Sequence, residues 1–118
     1  MFYLANFNML WISALAIGIV IIVGFLMVSK RKKKEPVPTL YKAIHGIGTI
    51  IGASIVVIAA FMGDTRLWTN IILATIIVVL GLIMSFGKLT KSSAIKILSL
   101  HMIIAITCYV IFLYYIFI

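Results

Sequence analysis

The stretch of sequence that decides the fold is residues 10–31, which read LWISALAIGIVIIVGFLMVSKR. It carries no charge before Lys30, and a helix of about 20 apolar residues spans the hydrocarbon core of a bilayer. Similar segments follow, so the predicted helices cover about 9–29, 43–62, 67–86 and 95–118. A soluble domain of this size has no need for a chain that is 65% hydrophobic. The sequence therefore predicts an all-α integral membrane protein, a four-helix bundle that forms one transmembrane domain.

Positive charge is concentrated in two of the three predicted connections. The chain has 10 Lys and Arg against 2 Asp and Glu, a net charge of +8, and nine of the ten cations lie within 30–42 and 87–96. Short loops rich in Lys and Arg stay in the cytoplasm. We therefore predict that both basic loops are cytoplasmic and that the termini and the 63–66 turn lie outside. The bias toward Ile and Lys fits a bacterial host, so the expected location is a bacterial cytoplasmic membrane. The basic runs favour contact with anionic lipids over binding of nucleic acid.

Aromatic residues gather near the predicted outer ends of the helices. Trp and Tyr are enriched at membrane interfaces, so these residues predict an aromatic belt. Its members are Phe2, Tyr3, Phe7, Trp11, Phe61, Trp68, Tyr114, Tyr115 and Phe117.

The second half of the chain repeats features of the first half. Each half contains Leu-Trp, then twelve residues, Gly, two apolar residues, Met, a basic loop and His. A shift of 57 residues aligns the first helix of each half, and a shift of 56 aligns His45 with His101. Because each half crosses the membrane twice, the two hairpins have the same orientation. This predicts a parallel repeat with a pseudo-twofold axis along the membrane normal.

His45 and His101 are the only histidines, and each lies a few residues into an apolar helix after a basic loop. Ionisable residues within membrane helices are rare and often functional. The repeat predicts that the two side chains lie at similar depth, near the cytoplasmic leaflet, and face each other across the bundle axis. Neutral imidazole is a common axial ligand of haem iron.

Small residues lie deeper on both histidine faces. Gly48 and Gly52 are three and seven residues after His45, and Ala105 is four residues after His101. A porphyrin about 8–10 Å across needs such clearance in its pocket. Lys42 and Lys96 are the candidate partners of the haem propionates.

Other interpretations of these residues stay open. Gly48-x-x-x-Gly52 is also a small-residue pattern of ordinary helix packing, and a histidine near a helix end can reach interfacial water. The histidine pair can contribute to a divalent metal site, although zinc needs further Cys, Asp or Glu ligands. No acidic residue lies within a predicted helix, which argues against proton-coupled multidrug transport. No hydrolase motif is present.

The layout resembles small bacterial b-type cytochromes, including the cytochrome b561-like group, and the specific content of this resemblance is His45 and His101. It implies haem b held by both histidines and electron exchange with quinone or a partner subunit. Two-haem members need four histidines, so the resemblance implies at most one bis-histidine haem here, near the cytoplasmic face. The main alternative is a cofactor-free structural or accessory subunit of a larger membrane complex. A small transporter formed as a homo-oligomer is the third possibility. Whether the protein is an enzyme stays open.

Overall fold

The protein is an all-α four-helix bundle. A computed structural model describes the backbone of residues 2–118 and the side chains of residues 7–118. Its helices are α1 (Phe2–Lys32), α2 (Thr39–Phe61), α3 (Trp68–Phe86) and α4 (Lys91–Phe117), and a 3-10 turn, Thr65–Leu67, precedes α3. Residues 2–118 contain no β-strand. The predicted fold class is confirmed.

All four helices are long and apolar enough to cross a membrane. Large apolar side chains cover their outer faces; Ile50 is 67% exposed and Leu15 is 65% exposed. Such a surface suits contact with lipid rather than with water. The chain is therefore a multi-pass membrane protein.

The ends of the helices differ in detail from the sequence-based expectation. Thr39 is the first residue of α2, and Pro38 holds the cap position without a side-chain bond. In α4 the cap is Thr90, because the Thr90 side chain accepts from the Ser93 backbone N–H. α4 therefore begins at Lys91, before the predicted position 95. Gly87 ends α3.

The helices follow each other around the bundle in chain order. α1 packs most extensively against α2, α3 packs against α4, and α1 also packs against α4. The contact between α2 and α3 is slighter. α2 and α4, which carry the two histidines, therefore lie on one diagonal of the bundle.

The core lies toward the end of the bundle that holds the α2–α3 turn. Phe112 of α4 is 2% exposed, and Leu67 and Ala59 are fully buried. The remaining members of this cluster are Leu10, Ala14, Val56, Ala60 and Ile116. Val20 and Val23 of α1 are also buried, outside the cluster. Tight packing at this end fixes the helices there, and the histidines lie nearer the opposite, basic end.

The α2–α3 turn is tied to the end of α4. Gly63 takes a positive φ of 112°, which glycine adopts without strain. Arg66 forms two hydrogen bonds with the Asp64 carboxylate, at 2.9 and 3.0 Å, and also donates to the Tyr115 carbonyl at 3.2 Å. These bonds hold the turn against the last residues of the chain.

Aromatic rings cluster at this same end. Edge-to-face pairs join Trp11 to Phe117 at 5.2 Å and Phe61 to Trp68 at 5.3 Å, measured between ring centroids. Phe7 contacts Trp11 in the same manner. The side chains of Phe2 and Tyr3 lie outside the described residues. The rings thus mark one end of the bundle, and the basic loops mark the other.

Candidate functional site

His45 joins α2 to α1 near the basic end of the bundle. Its Nδ1 lies 3.0 Å from the carbonyl oxygen of Val20. Because a carbonyl only accepts, Nδ1 carries the proton in this bond. Gly24, one turn after Val20, makes room for the ring: a Cβ at that position would lie 3.1 Å from His45 Cε1. The half-buried imidazole is therefore held in one orientation against α1.

His101 makes the same bond between α4 and α3. Its Nδ1 lies 3.0 Å from the carbonyl oxygen of Ile77. Gly81 again clears the ring, since a Cβ there would lie 3.4 Å from His101 Cε1. The shift of 57 takes Val20 to Ile77 and Gly24 to Gly81. The two halves therefore share a histidine, a carbonyl acceptor and a glycine in equivalent places.

A second pair of equivalent bonds lies deeper in each hairpin. Ser13 Oγ of α1 donates to the Gly52 carbonyl of α2 at 2.8 Å. Asn70 Nδ2 of α3 donates to the Cys108 carbonyl of α4 at 2.9 Å. The same shifts relate these residues, 57 for the donors and 56 for the acceptors. Each hairpin therefore has two interhelical hydrogen bonds, which we call clasps. One comes from a histidine near the basic end, and the other comes from a buried polar side chain further in.

The sequence did not reveal that these two bonds are equivalent. Ser13 and Asn70 align under the 57-residue shift, as Gly52 and Cys108 align under the 56-residue shift. The aligned residues differ in type, however, and the bond uses only the backbone of the acceptor. Comparison of residue identities therefore does not reveal the equivalence of the two bonds. Only the alignment of the positions under the two shifts indicates it.

The predicted haem cradle below His45 is filled by α1. A Cβ at Gly48 would lie 2.5 Å from Val20 Cγ2, and one at Gly52 would lie 2.5 Å from Ile17 Cγ1. These glycines let α1 approach α2 closely, which is the packing role of small residues in membrane helices. Their arrangement does not fit a porphyrin between α2 and α4.

The Nδ1 atom of each histidine is hydrogen-bonded within its own hairpin. Each ring is directed to the first helix of its own hairpin by its Nδ1 bond. The described residues therefore contain no bis-histidine haem site, which differs from the predicted geometry. The reason is that a carbonyl of the adjacent helix lies within reach of each ring, and burial favours satisfying the ring N–H there.

The remaining predicted site residues differ in exposure. Lys42 and Lys96 are exposed, and Ala105 is half-buried. The two acidic residues pair elsewhere, Glu35 with Lys30 at 3.2 Å and Asp64 with Arg66. Within the described part of the chain, no three His, Cys, Asp or Glu side chains are grouped to hold a metal ion.

Each histidine can still use its second ring nitrogen, Nε2. With the proton on Nδ1, a neutral imidazole presents its lone pair on Nε2. That atom can accept a hydrogen bond or ligate a metal, and ligating histidines commonly donate their other nitrogen to a carbonyl.

Comparison of the chain with protein-family models, with curated proteins and with solved structures finds no match. The resemblance to b-type cytochromes accordingly stays a prediction.

Proposed function

We propose that this protein is a cofactor-free structural or accessory subunit of a larger complex in a bacterial cytoplasmic membrane. The observation that supports this proposal is the use of both histidines as interhelical clasps, each 3.0 Å from a carbonyl of its own hairpin. A clasp of this kind accounts for an ionisable residue in a membrane helix without a ligand. The role of the bundle is then to present its apolar outer faces to neighbouring subunits.

The polar side chains in the spans argue against a transport pathway. Ser13 and Asn70 are 0% and 3% exposed, and both donate to backbone carbonyls within their hairpins. Thr49, Thr75, Ser99 and Thr107 donate to carbonyls of their own helices. Glu35 and Asp64, the only acidic residues, lie outside the helices. Hydrogen bonds of this kind stabilise helices, and these side chains offer no continuous route for a charged solute.

A direct test of the proposal is the composition and spectrum of the purified native assembly. We expect a complex larger than the 13.1 kDa chain, with this protein in fixed stoichiometry to at least one other membrane subunit. We expect no Soret band after expression with haem supplied. A monomeric protein in native membranes would contradict the subunit proposal.

A haem b electron-transfer protein that reacts with quinone or a partner subunit is the second candidate. The observation that favours it is the Nδ1 bond itself, because this bond leaves Nε2 of both His45 and His101 for iron. Haem would supply one-electron redox chemistry when bound. This candidate requires that α2 and α4 present the two Nε2 atoms to one ligand. It also requires that α1 move away from Gly48 and Gly52 of α2.

One measurement separates the two candidates. Oxidised and dithionite-reduced absorption spectra are recorded for the wild type and for His45→Ala and His101→Ala. A reduced α band that each variant abolishes would support the cytochrome and reject the cofactor-free subunit. Featureless spectra in all three proteins, together with lower thermal stability in both variants, would support the clasp.

A further inference from the structure

A small cleft lies at the basic end of the bundle, where α1 ends and α4 begins. Its volume is about 340 Å³. Arg31, from the last turn of α1, and Lys91, the first residue of α4, both line it. Apolar side chains from α3, α4 and the loop between them form the rest of the lining, including Met84, Leu89, Ile95 and Leu98. The cleft thus combines two cations with an apolar floor.

No carboxylate of the chain balances these two cations. The sequence has only two acidic residues. Glu35 pairs with Lys30 at 3.2 Å, and Asp64 pairs with Arg66 in the turn at the other end of the bundle. Arg31 and Lys91 are exposed and form no ion pair within residues 7–118. Arg31 and Lys91 are therefore available to an anion from outside the protein.

The start of α4 adds to the positive potential. Helix N-termini carry a partial positive charge, which acidic residues in the first turn usually offset. α4 has no acidic residue in its first turn and begins with Lys91. The Lys91 charge is unfavourable next to the positive end of the helix dipole. An external anion at this place would offset both the positive helix end and the lysine charge.

The position of the cleft favours a lipid as the source of the anion. α1 and α4 are both long and apolar enough to span a membrane, and the cleft lies at their basic ends, which we expect at the level of the lipid headgroups. A free ion would use only the cationic rim, whereas a phospholipid would also cover Ile95, which is 57% exposed. Basic pockets between membrane helices are known to bind anionic lipid headgroups.

We propose that this cleft binds one anionic phospholipid. Its phosphate lies between the Arg31 guanidinium, which can donate two parallel hydrogen bonds, and the Lys91 ammonium. One acyl chain lies along the apolar floor. The site does not depend on the proposed function, because it requires only the inserted bundle.

The test is lipid titration of the detergent-solubilised full chain, followed by native mass spectrometry. The titrants are phosphatidylglycerol, phosphatidylcholine with the same acyl chains, and sn-glycerol 3-phosphate. The variant is Arg31→Gln/Lys91→Gln. The matched control is Lys32→Gln/Lys33→Gln, which removes the same charge from the same basic end but lies outside the cleft lining.

We expect wild type to bind the first phosphatidylglycerol more tightly than phosphatidylcholine. At about a fivefold gain per cation, the cleft variant should lose about 25-fold in affinity for that first lipid. The control should keep most of it. Glycerol phosphate should not displace the lipid at matched concentrations.

Three results would overturn the proposal. They are equal wild-type affinity for the two phospholipids, equal losses in the cleft and control variants, and displacement of the lipid by glycerol phosphate. The first and third use only wild-type protein, so a folding defect in a variant does not leave the question open.

Discussion

The Tyr109 hydroxyl of α4 donates a hydrogen bond to the Ala14 carbonyl of α1 at 3.0 Å. The 56-residue shift places Ala53 of α2 where Tyr109 stands in α4. Ala53 has no ring to fill the equivalent space. It lines an open apolar groove of about 560 Å³, and Val78 of α3 also lines this groove. The α4–α1 interface is therefore closed by a tyrosine, whereas the equivalent α2–α3 interface stays open. The two hairpins share their internal clasps but differ in how they join each other.

Removing the Tyr109 hydroxyl should weaken the junction of the two hairpins. We expect Tyr109→Phe to lower the free energy of unfolding in detergent by roughly 1 kcal/mol, since it leaves the ring in place and removes one bond. Tyr114→Phe is the control, because Tyr114 is 57% exposed. Equal stability of the two variants would show that the hydroxyl bond contributes nothing.

The two histidine clasps should contribute independently. We expect His45→Ala and His101→Ala each to cost about 1–2 kcal/mol, which includes the lost bond and the lost ring packing. Because the clasps lie in different hairpins, the double variant should show the sum to within about 0.5 kcal/mol. Strong non-additivity in the measured unfolding free energies would instead indicate one site shared by both rings.

The glycines that face the histidines should differ in their tolerance of a methyl group. A Cβ at Gly24 would lie 3.1 Å from the His45 ring, whereas one at Gly81 would lie 3.4 Å from the His101 ring. We expect Gly24→Ala to lower the melting temperature more than Gly81→Ala. Gly46→Ala is the control, because a Cβ there meets nothing within 4 Å. A larger loss for the control would reject the steric explanation.

The buried polar clasps should tolerate a change of donor but not its loss. Asn70 is 3% exposed, and its Oδ1 makes no hydrogen bond within the described residues. Asn70→Ala removes the Nδ2 bond to the Cys108 carbonyl and should cost about 1–2 kcal/mol. Asn70→Ser, which copies the residue at the equivalent position 13, should recover part of that loss in the same unfolding assay. No recovery would show that shape, rather than the donor, decides stability there.

The predicted orientation can be measured by cysteine labelling in intact cells. After Cys108→Ala removes the only native thiol, Thr65→Cys should react with a membrane-impermeant maleimide added outside. Lys33→Cys should react only after the membrane is permeabilised. The reverse pattern would place the basic loops outside, against the distribution of Lys and Arg.

Much of the architecture could be predicted from the amino-acid sequence alone. Uncharged runs such as 10–29 require helices that span a membrane, because backbone groups in lipid must be paired within the segment. The repeated Leu-Trp, Gly and His positions predicted that the halves are related. The structure gives both halves the same histidine bond, to Val20 in one and to Ile77 in the other.

What the sequence determined by itself was therefore the helical membrane architecture and the equivalent placement of His45 and His101. Hydropathy and charge act locally along the chain, so both can be read without knowing which helices touch. Only the tertiary structure decided where the rings point. Each imidazole donates to the nearest carbonyl of its own hairpin, and glycines on the adjacent helix make that approach possible. That choice depends on the distance between two helices, which no spacing within one helix specifies.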